Sequence, residues 1–208
     1  MKNLFDENYF ERGIELGISG YSNYRWMPEL TIPMCFRLIE YLGIKENETI
    51  LDFGCAKGYV VKAFRLLYRE AFGYDISDYA LSQVPCEIKK YVYMCKIEKL
   101  PTFDWIIAKD VLEHISHNDI ENTLYLLLEK CNKLFCVIPL AENDRYNVSW
   151  YESDITHIIR ESLEWWGDKF SKIGFTVEEA KHKVKYIKEN YSQYEKGNGF
   201  FTLLAKRI

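Results

Sequence analysis

The sequence predicts an α/β fold: a doubly wound, mostly parallel seven-stranded sheet with an antiparallel last strand and helices on both faces. Short apolar runs alternate with helix-like stretches from Thr49 onward, which is typical of a parallel sheet covered on both faces. Two long strand candidates close the chain with no room for a useful helix between them, so we expect them to pair antiparallel. The first 44 residues lack this alternation and predict an N-terminal helical cap.

The predicted elements follow one another in a regular order. Five strand candidates come first: TILDF (49–53), EAFGYD (70–75), YVYMC (91–95), FDWIIA (103–108) and KLFCVIPL (133–140). Apolar residues at helical spacing lie between them in YVVKAFRLLY (59–68), SDYALSQV (77–84) and NDIENTLYLLLEKC (118–131). A helical stretch, RESLEWWGDKFSKIGF (160–175), leads into the last two strand candidates, FTVEEAKHKVKYI (175–187) and GFFTLLAKRI (199–208).

The composition predicts a single globular domain over residues 1–208, with a cap or lid over 1–44 and a core over 45–208. The formal net charge of -4 provides no basic field, so we expect neither nucleic acid nor an anionic membrane surface as a partner. No apolar run is long enough to span a bilayer. The six cysteines form no C-x-x-C pair and several lie in apolar runs, which predicts a reducing, cytoplasmic location. These features leave the oligomeric state open.

The stretch LDFGCAKG carries the signal for a ligand site. Gly54 and Gly58 lie in the turn from the first strand to the first helix, where glycine accepts a positive φ and lets a ligand approach the backbone. Asp75 ends the next strand, and a carboxylate there can accept both hydrogen bonds of a ribose diol. In a sheet of this kind, ligands bind at the carboxyl ends of the strands, near the point where strand order reverses.

Two nucleotide-binding motifs fit this turn poorly. A dinucleotide site requires G-x-G-x-x-G, but the three positions hold Gly54, Ala56 and Tyr59. The P-loop pattern G-x-x-x-x-G-K-[ST] is absent. The missing glycines disfavour a nicotinamide-dependent oxidoreductase, which is the rival enzyme class. A non-catalytic, cofactor-binding protein of the same fold is a third possibility.

LDFGCAKG instead resembles motif I of class I S-adenosylmethionine-dependent methyltransferases, in which an acid precedes a G-x-x-x-G-type turn. GYDIS resembles the ribose-binding second motif of that family, and EKLPTFDWIIAKDVLEHI resembles the segment around its fourth strand. The antiparallel last strand agrees with the family fold. The resemblance implies S-adenosylmethionine as the cofactor and methyl transfer as the reaction.

The resemblance also implies roles for individual residues. The turn backbone around Gly54 would approach the methionine part of the cofactor, Asp52 would organise its ammonium group, and Asp75 would hold the ribose. The cofactor-binding residues implied within the core are Asp52, Gly54, Cys55, Ala56, Gly58, Asp75, Ile76, Ile97, Lys109 and Asp110.

Two positions depart from the family pattern. Ala56 replaces the commonest glycine, which the turn tolerates if the φ of Ala56 stays negative. Lys96 stands where the family often has an acid for the adenine amino group, and a lysine cannot accept a hydrogen bond. We therefore expect backbone groups near Ile97 to recognise adenine, or Lys96 to point to solvent.

The segment GYSNYRWMPE (20–29) has the composition of a lid over the cofactor. Tyr24 and Arg25 are the expected cofactor contacts, with Arg25 facing the cofactor carboxylate or an acidic substrate group. Tyr21 and Trp150 are the expected substrate contacts. The alternative is that the tyrosines only pack the cap onto the core.

His157 is the expected general base, because histidine titrates near the working pH and this one follows the fifth strand, where acceptors enter. Asp154, three residues earlier, would hold the imidazole in the required tautomer. The alternative is that Asp154 or Thr156 caps a helix beginning near Ile158, with His157 merely in its first turn.

DVLEHI permits two further interpretations. In the first, Glu113 and His114 only cap and orient the following helix. In the second, His114 and His117 face the same way on a helix and bind a metal ion. Without a third ligand in view, no metal site is expected.

The acceptor is the least determined part of the prediction. No DPPY-like or NPPF-like run follows the fourth strand, where enzymes that methylate the amino groups of nucleic acids often carry one. The segment after the fifth strand resembles that of small-molecule and sugar O-methyltransferases. We expect a hydroxyl of a small metabolite or saccharide, with a small-molecule N-methyltransferase as the alternative.

Overall fold

The computed structural model describes residues 4–189 and 193–206. Seven α-helices occur in these ranges: α1 (Glu7–Glu11), α2 (Gly13–Leu16), α3 (Pro28–Leu42), α4 (Tyr59–Leu66), α5 (Asp78–Ser82), α6 (Ile120–Lys130) and α7 (Leu163–Ile173). The strands described are β1 (Thr49–Phe53), β2 (Glu70–Tyr74), β3 (Val92–Tyr93), β4 (Phe103–Lys109), β5 (Cys131–Pro139), β6 (Ala141–Glu142), β7 (Arg145–Tyr146), β8 (Phe175–Lys181) and β9 (Asn198–Ala205). In this part of the chain, no helix combines the length and the apolar character needed to cross a bilayer.

Seven of the strands form one sheet in the order β3-β2-β1-β4-β5-β9-β8. The pairs from β3 to β5 are parallel, and β9 runs antiparallel to both of its neighbours. The predicted fold class is therefore confirmed. Strand order reverses between β1 and β4, because the chain moves outward to β2 and β3 before returning to β4 on the other side. The carboxyl ends of these strands form the crevice in which ligands bind in such sheets.

Alternating side chains along the strands supply two separate cores, one on each face of the sheet. On β5, Leu134, Cys136 and Ile138 face one core, while Phe135 and Val137 face the other. The first core is closed by α6 and α7, and the second by α3 and α4. Strands buried on both faces have continuous apolar sequences, which explains why β1, β4 and β5 were recognisable.

The N-terminal cap divides into two parts in the structure. Its last helix, α3, shares the second core with α4 through Cys35 and Leu38, so it forms part of the helical layer. Residues 4–27, with α1 and α2, instead lie against α5 and the turn after β1 through Tyr9 and Phe10. The assignment of one domain with a boundary at residue 44 stays a prediction.

Three elements differ from their predicted forms. The third strand is only the two residues of β3, and β8 ends at Lys181 rather than continuing to residue 187. Beyond β8 the chain turns, and Val184 pairs with Ile187 in an isolated bridge. The hairpin of β6 and β7 was not predicted, although Asn143 and Asp144 both have the positive φ of a two-residue hairpin turn.

Helix α7 begins and ends at clear signals. The Ser162 side chain accepts a hydrogen bond from the amide of Trp165, so the helix begins at Leu163. Gly174 ends it with a φ of 118°. Gly167 lies inside the helix, and a Cβ added there would meet no atom within 4 Å.

The two glycines of α7 provide a matched pair for a stability test. Gly167→Ala should raise the free energy of unfolding by about 0.5–1 kcal/mol, because alanine loses less backbone entropy in a helix. Gly174→Ala should lower it by about 1 kcal/mol or more, because alanine is strained at positive φ. Thermal unfolding should show opposite shifts of roughly 2–4 °C per kcal/mol. Equal shifts in the same direction would contradict the assigned helix end.

Candidate active site

The turn after β1 is fixed to the end of β2 by backbone hydrogen bonds. The amides of Gly54 and Cys55 both donate to the Tyr74 carbonyl oxygen, at 2.8 and 3.0 Å. Gly54 and Gly58 have positive φ, as the turn predicted, and so does Ala56 with a φ of 48°. The condition of a negative φ at Ala56 is therefore not met. Its strained conformation is compensated by the hydrogen bond that its amide donates to Asp75 Oδ2 at 2.6 Å.

Asp75 lies where the sequence placed it, directly after β2 and half-buried beside the turn. Besides the Ala56 amide, its carboxylate accepts the amide of Ser77 at 2.8 Å. Burial raises the pKa of Asp75, while these backbone hydrogen bonds oppose the rise. Asp75 therefore has an orientation fixed by the backbone before any ligand binds.

Gly54 also permits close contact with the segment after β4. A Cβ on Gly54 would lie 2.5 Å from Cγ2 of Val111, so a side chain would push the two segments apart. Asp110 precedes Val111 and forms ion pairs with Lys109, at 2.5 Å, and with Lys188. Burial alone would raise the pKa of Asp110, but the two ammonium groups outweigh this effect and hold it below its ordinary value.

A cavity of about 260 Å³ lies at this junction of β1, β2 and β4. Several expected cofactor or substrate residues line it. They are Tyr21, Gly54, Ala56, Asp75, Ile76, Ile97 and Asp110. Further lining residues include Phe5, Tyr9, Phe10, Phe53, Tyr74, Val111, His114, Ile115, Asp119 and Thr123. Most of the wall is apolar or aromatic, and the polar groups concentrate on the β2 and β4 sides.

The structure places the other expected residues behind or outside the cavity wall. Asp52 and Cys55 are buried beneath the turn, Gly58 begins α4, and Lys109 is held by its ion pair with Asp110. Arg25 is exposed, and Lys96 is also exposed, next to Ile97 in the wall.

Trp150 is 44% exposed and lies against Gly20, so it does not contact the cavity. The placement of Arg25 and Trp150 therefore does not support their expected roles.

The N-terminal segment is attached over the turn by buried polar contacts. Lys57, only 6% exposed, donates to the Tyr24 carbonyl oxygen at 2.8 Å and forms an ion pair with Glu11. The Tyr9 hydroxyl donates to Asp154 Oδ2 at 2.8 Å. Residues 4–27 therefore lie over the turn and are anchored to the core, and below we call this segment the lid.

The expected pairing of His157 with Asp154 is not present. His157 Nδ1 donates to the Tyr151 carbonyl oxygen at 2.9 Å, so that carbonyl sets its tautomer. Its Nε2 lies 3.9 Å from Asp154 Oδ2, beyond hydrogen-bond distance. No helix begins near Ile158, because the next helix, α7, begins only at Leu163. The alternative of a helix cap was wrong for this reason, and no hydrogen bond from Asp154 orients His157.

Asp154 orients a different histidine, His114, through Thr156. Asp154 Oδ1 accepts from the Thr156 hydroxyl at 2.6 Å, and the same hydroxyl oxygen lies 2.7 Å from His114 Nδ1. His114 lines the cavity, and its ring centroid lies 4.7 Å from that of His157. Burial, followed by the neighbouring His157, lowers the pKa of His114 to about 4. His117, considered beside it from the sequence, is exposed.

Comparison with known families identifies the fold. A family model described as a methyltransferase domain matches residues 27–180. The chain belongs to this methyltransferase family. No curated protein sequence matches it. The match confirms the resemblance inferred from motif I, and the chain is an S-adenosylmethionine-dependent methyltransferase rather than a nicotinamide-dependent oxidoreductase.

Solved structures similar to this methyltransferase share its fold. An S-adenosylmethionine-dependent methyltransferase from Archaeoglobus fulgidus has a TM-score of 0.62 and 17% identity, covering 86% of this chain and 94% of that one. One from Clostridium acetobutylicum has a TM-score of 0.61 and 11% identity, covering 84% and 92%. The Burkholderia thailandensis 1,6-didemethyltoxoflavin-N1-methyltransferase, solved with 1,6-didemethyltoxoflavin and S-adenosylhomocysteine, has a TM-score of 0.62 and 13% identity, covering 86% and 80%.

The site of the methyltransferase fits its cofactor. The turn after β1 has no Cβ at Gly54 and presents its backbone to the cavity, and the Asp75 carboxylate faces the same space. Bound S-adenosylmethionine supplies the activated methyl group, and the residues of the chain bind and orient it.

Asp52 gives the cofactor site an expected pH dependence. Burial raises the pKa of Asp52 to about 7, with nearby Lys109 opposing the rise and Asp75 adding to it. If ionised Asp52 organises the cofactor ammonium, binding favours the deprotonated form. The affinity for S-adenosylmethionine should then fall by up to about tenfold for each pH unit below 7. Calorimetry between pH 5.5 and 7.5 measures this slope.

Asp52→Asn is the control for that slope. It should bind the cofactor more weakly, because the charge is lost. Its pH profile should be flatter, because the amide does not titrate and only the other titrating groups remain. A slope identical to that of the unmodified protein would assign the pH dependence to another group.

Lys57 provides a test of the lid. Lys57→Met keeps the side-chain stem but removes the ammonium that binds Glu11 and the Tyr24 carbonyl. Losing charged hydrogen bonds of about 1.5 kcal/mol or more should speed dissociation of S-adenosylhomocysteine on the order of tenfold. Stopped-flow measurement reports this rate. Lys169→Met is the control, because Lys169 lies outside the lid and pairs with the exposed Glu121, and its rate should stay within about twofold.

Proposed function

We propose that this methyltransferase transfers the methyl group of S-adenosylmethionine to a hydroxyl group of a small-molecule acceptor. The observation that carries the proposal is the enclosure of the cofactor site by the lid. Phe5, Tyr9, Phe10 and Tyr21 cover the cavity at the carboxyl ends of the strands. A site covered in this way favours a small acceptor over a polymer, and its aromatic wall favours an acceptor with an apolar or planar part.

The cofactor would lie along the turn after β1. Asp75 would accept hydrogen bonds from the ribose hydroxyls, and Ile76 and Ile97 would flank the adenine. The backbone of Gly54 and Ala56 would approach the methionine part, with Asp52 beneath it. Fixing Asp75 by backbone amides in advance would reduce the entropy lost on binding.

The acceptor would lie between the lid and the segment after β4. Asp110 and His114 are the polar residues of the segment directly after β4 that line the cavity, while His157 lies behind His114. His114 is therefore the histidine that would face the acceptor hydroxyl. Asp154 would act on the reaction only by positioning His114 through Thr156.

The proposal includes a reducing compartment such as the cytoplasm. All six cysteines are free thiols, and Cys35, Cys55, Cys131 and Cys136 are buried among apolar residues. The formal net charge of -4 favours no nucleic-acid partner.

Asp75 tests the cofactor assignment. Asp75→Asn removes the carboxylate charge that would hold the ribose hydroxyls, and the affinity for S-adenosylmethionine should fall by about tenfold to a hundredfold. Calorimetry measures the affinity, and thermal unfolding checks that the variant folds. Asp144→Asn, in the hairpin turn of β6 and β7, is the matched control and should bind normally. Wild-type affinity in Asp75→Asn would contradict the assigned ribose site.

The acceptor class is tested with the unmodified protein and S-adenosylmethionine carrying a labelled methyl group. A panel of small phenols, saccharides and amines should yield label in hydroxyl-bearing compounds. Label found only in the amines would replace the proposal with N-methylation.

A further inference from the structure

A group of polar side chains at the cavity wall joins His114 to Glu113 and His157, two residues to which the proposed activity gives no role. Glu113, His114 and His157 each place one nitrogen or oxygen atom so that all three lie within 4.8 Å of one another. The first two come from the short 3-10 helix Leu112–His114 after β4, and His157 comes from the loop after β7. Glu113 is 0% exposed, and His157 is 8% exposed.

The hydrogen bonds of the two histidines fix which ring nitrogen carries the proton. A carbonyl oxygen only accepts, so His157 Nδ1 carries a hydrogen toward Tyr151. The Thr156 hydroxyl uses its single hydrogen for the carboxylate of Asp154, so it accepts from Nδ1 of His114. Both neutral imidazoles therefore present a bare lone pair at Nε2.

These lone pairs point toward a carboxylate that lacks a donor. Within the described residues, neither oxygen of Glu113 has a hydrogen-bond partner. Nε2 of His114 and Nε2 of His157 each lie 3.9 Å from Glu113 Oε1, too far for a hydrogen bond. A buried carboxylate facing two lone pairs is unfavourable unless a positive charge joins them.

A proton and a lysine are the two alternatives to a bound cation. One proton on Glu113 could donate to only one of the two imidazoles and would leave the other lone pair unmatched. The Lys188 ammonium is already in an ion pair with Asp110. A divalent cation would satisfy the ionised carboxylate and both lone pairs together, whereas a water molecule would do so only with Glu113 protonated.

We propose that Glu113, His114 and His157 bind one divalent transition-metal ion through a carboxylate oxygen and two Nε2 atoms. Two imidazoles and one carboxylate suit Zn²⁺, Mn²⁺, Fe²⁺ or Co²⁺, and are too rich in nitrogen for Ca²⁺. Ligands about 2.0–2.2 Å from such an ion lie roughly 3–3.5 Å apart. The two separations of 3.9 Å between Glu113 and the imidazoles therefore need to close by less than about 1 Å, and the widest separation in the group, up to 4.8 Å, by roughly 1–2 Å. The Tyr151 carbonyl and Thr156 are the outer partners that hold the imidazoles in the ligating tautomer.

The position of the site also suggests what the ion does, an extension that rests on the proposed O-methylation. Because His114 lines the cavity, open coordination positions would face the acceptor. A hydroxyl bound to the ion would have a lower pKa and release its proton to water. Its oxygen would form a bond to the methyl carbon while the carbon–sulfur bond breaks with its electron pair going to sulfur. The products are the methyl ether, S-adenosylhomocysteine and one proton.

Metal binding can be measured without knowing the acceptor. The test uses full-length protein carrying Cys86→Ser, because Cys86 is an exposed thiol that would bind metal by itself. Titration with Co²⁺, followed by visible absorption and calorimetry, should show one site with micromolar or tighter affinity. Glu113→Gln and His157→Gln should each weaken binding at least about a hundredfold, since even the loss of an outer partner costs 10–100-fold. His117→Gln, an exposed histidine close in sequence, should bind as the parent does.

The outcomes separate the metal site from the proposed function. Each variant is also titrated with S-adenosylhomocysteine, whose unchanged affinity shows that the variant folds. A parent protein that binds the cofactor but no Co²⁺ below 1 mM, or binds it equally well in Glu113→Gln, overturns the metal site alone. A protein that binds Co²⁺ through these residues but not S-adenosylmethionine supports the site and removes the O-methylation role.

Discussion

The site depends on the hydrogen bonds that fix the turn after β1 to the end of β2. Two successive amides donate to the Tyr74 carbonyl oxygen, which forces Gly54 into positive φ. At that position the missing Cβ lets Val111 pack directly against the turn. One backbone arrangement therefore brings the ends of β1, β2 and β4 together, and with them Asp75, Asp110 and His114. A larger residue at Gly54 would disturb the cofactor side and the acceptor side at once.

Elements whose residues repeat a simple burial pattern could be predicted from the sequence. The strands β1, β4 and β5 are covered on both faces, so their apolar runs indicated strands directly. The shorter β8 shows the limit of that reasoning. Lys181, Lys183 and Lys185 alternate as in a strand, but the chain has already turned there, and Tyr186 has a positive φ. Alternation alone cannot distinguish a paired strand from an extended loop, because pairing depends on the neighbouring strand.

The positions of the polar residues of the site could be predicted only where a residue directly follows a strand. Asp75 follows β2 directly, so its position came from the local pattern. His157 lies in an irregular loop, where a spacing of three residues from Asp154 does not imply contact. The contacts that matter are between distant segments: Asp154 reaches Tyr9, and Thr156 reaches His114. The sequence held both Glu113 and His114 in DVLEHI, but it gave no sign that His157 would join them.

These long-range contacts connect the lid to the buried histidines. Tyr9 in α1 donates to Asp154, Asp154 accepts from Thr156, and Thr156 accepts from His114. Without the Tyr9 hydroxyl, Asp154 would lose a hydrogen-bond donor, and the chain of bonds that orients His114 would be weakened at its far end. Closure over the cofactor and the orientation of the ring facing the acceptor are therefore linked. A lid that opened for product release would therefore position His114 only when it is closed.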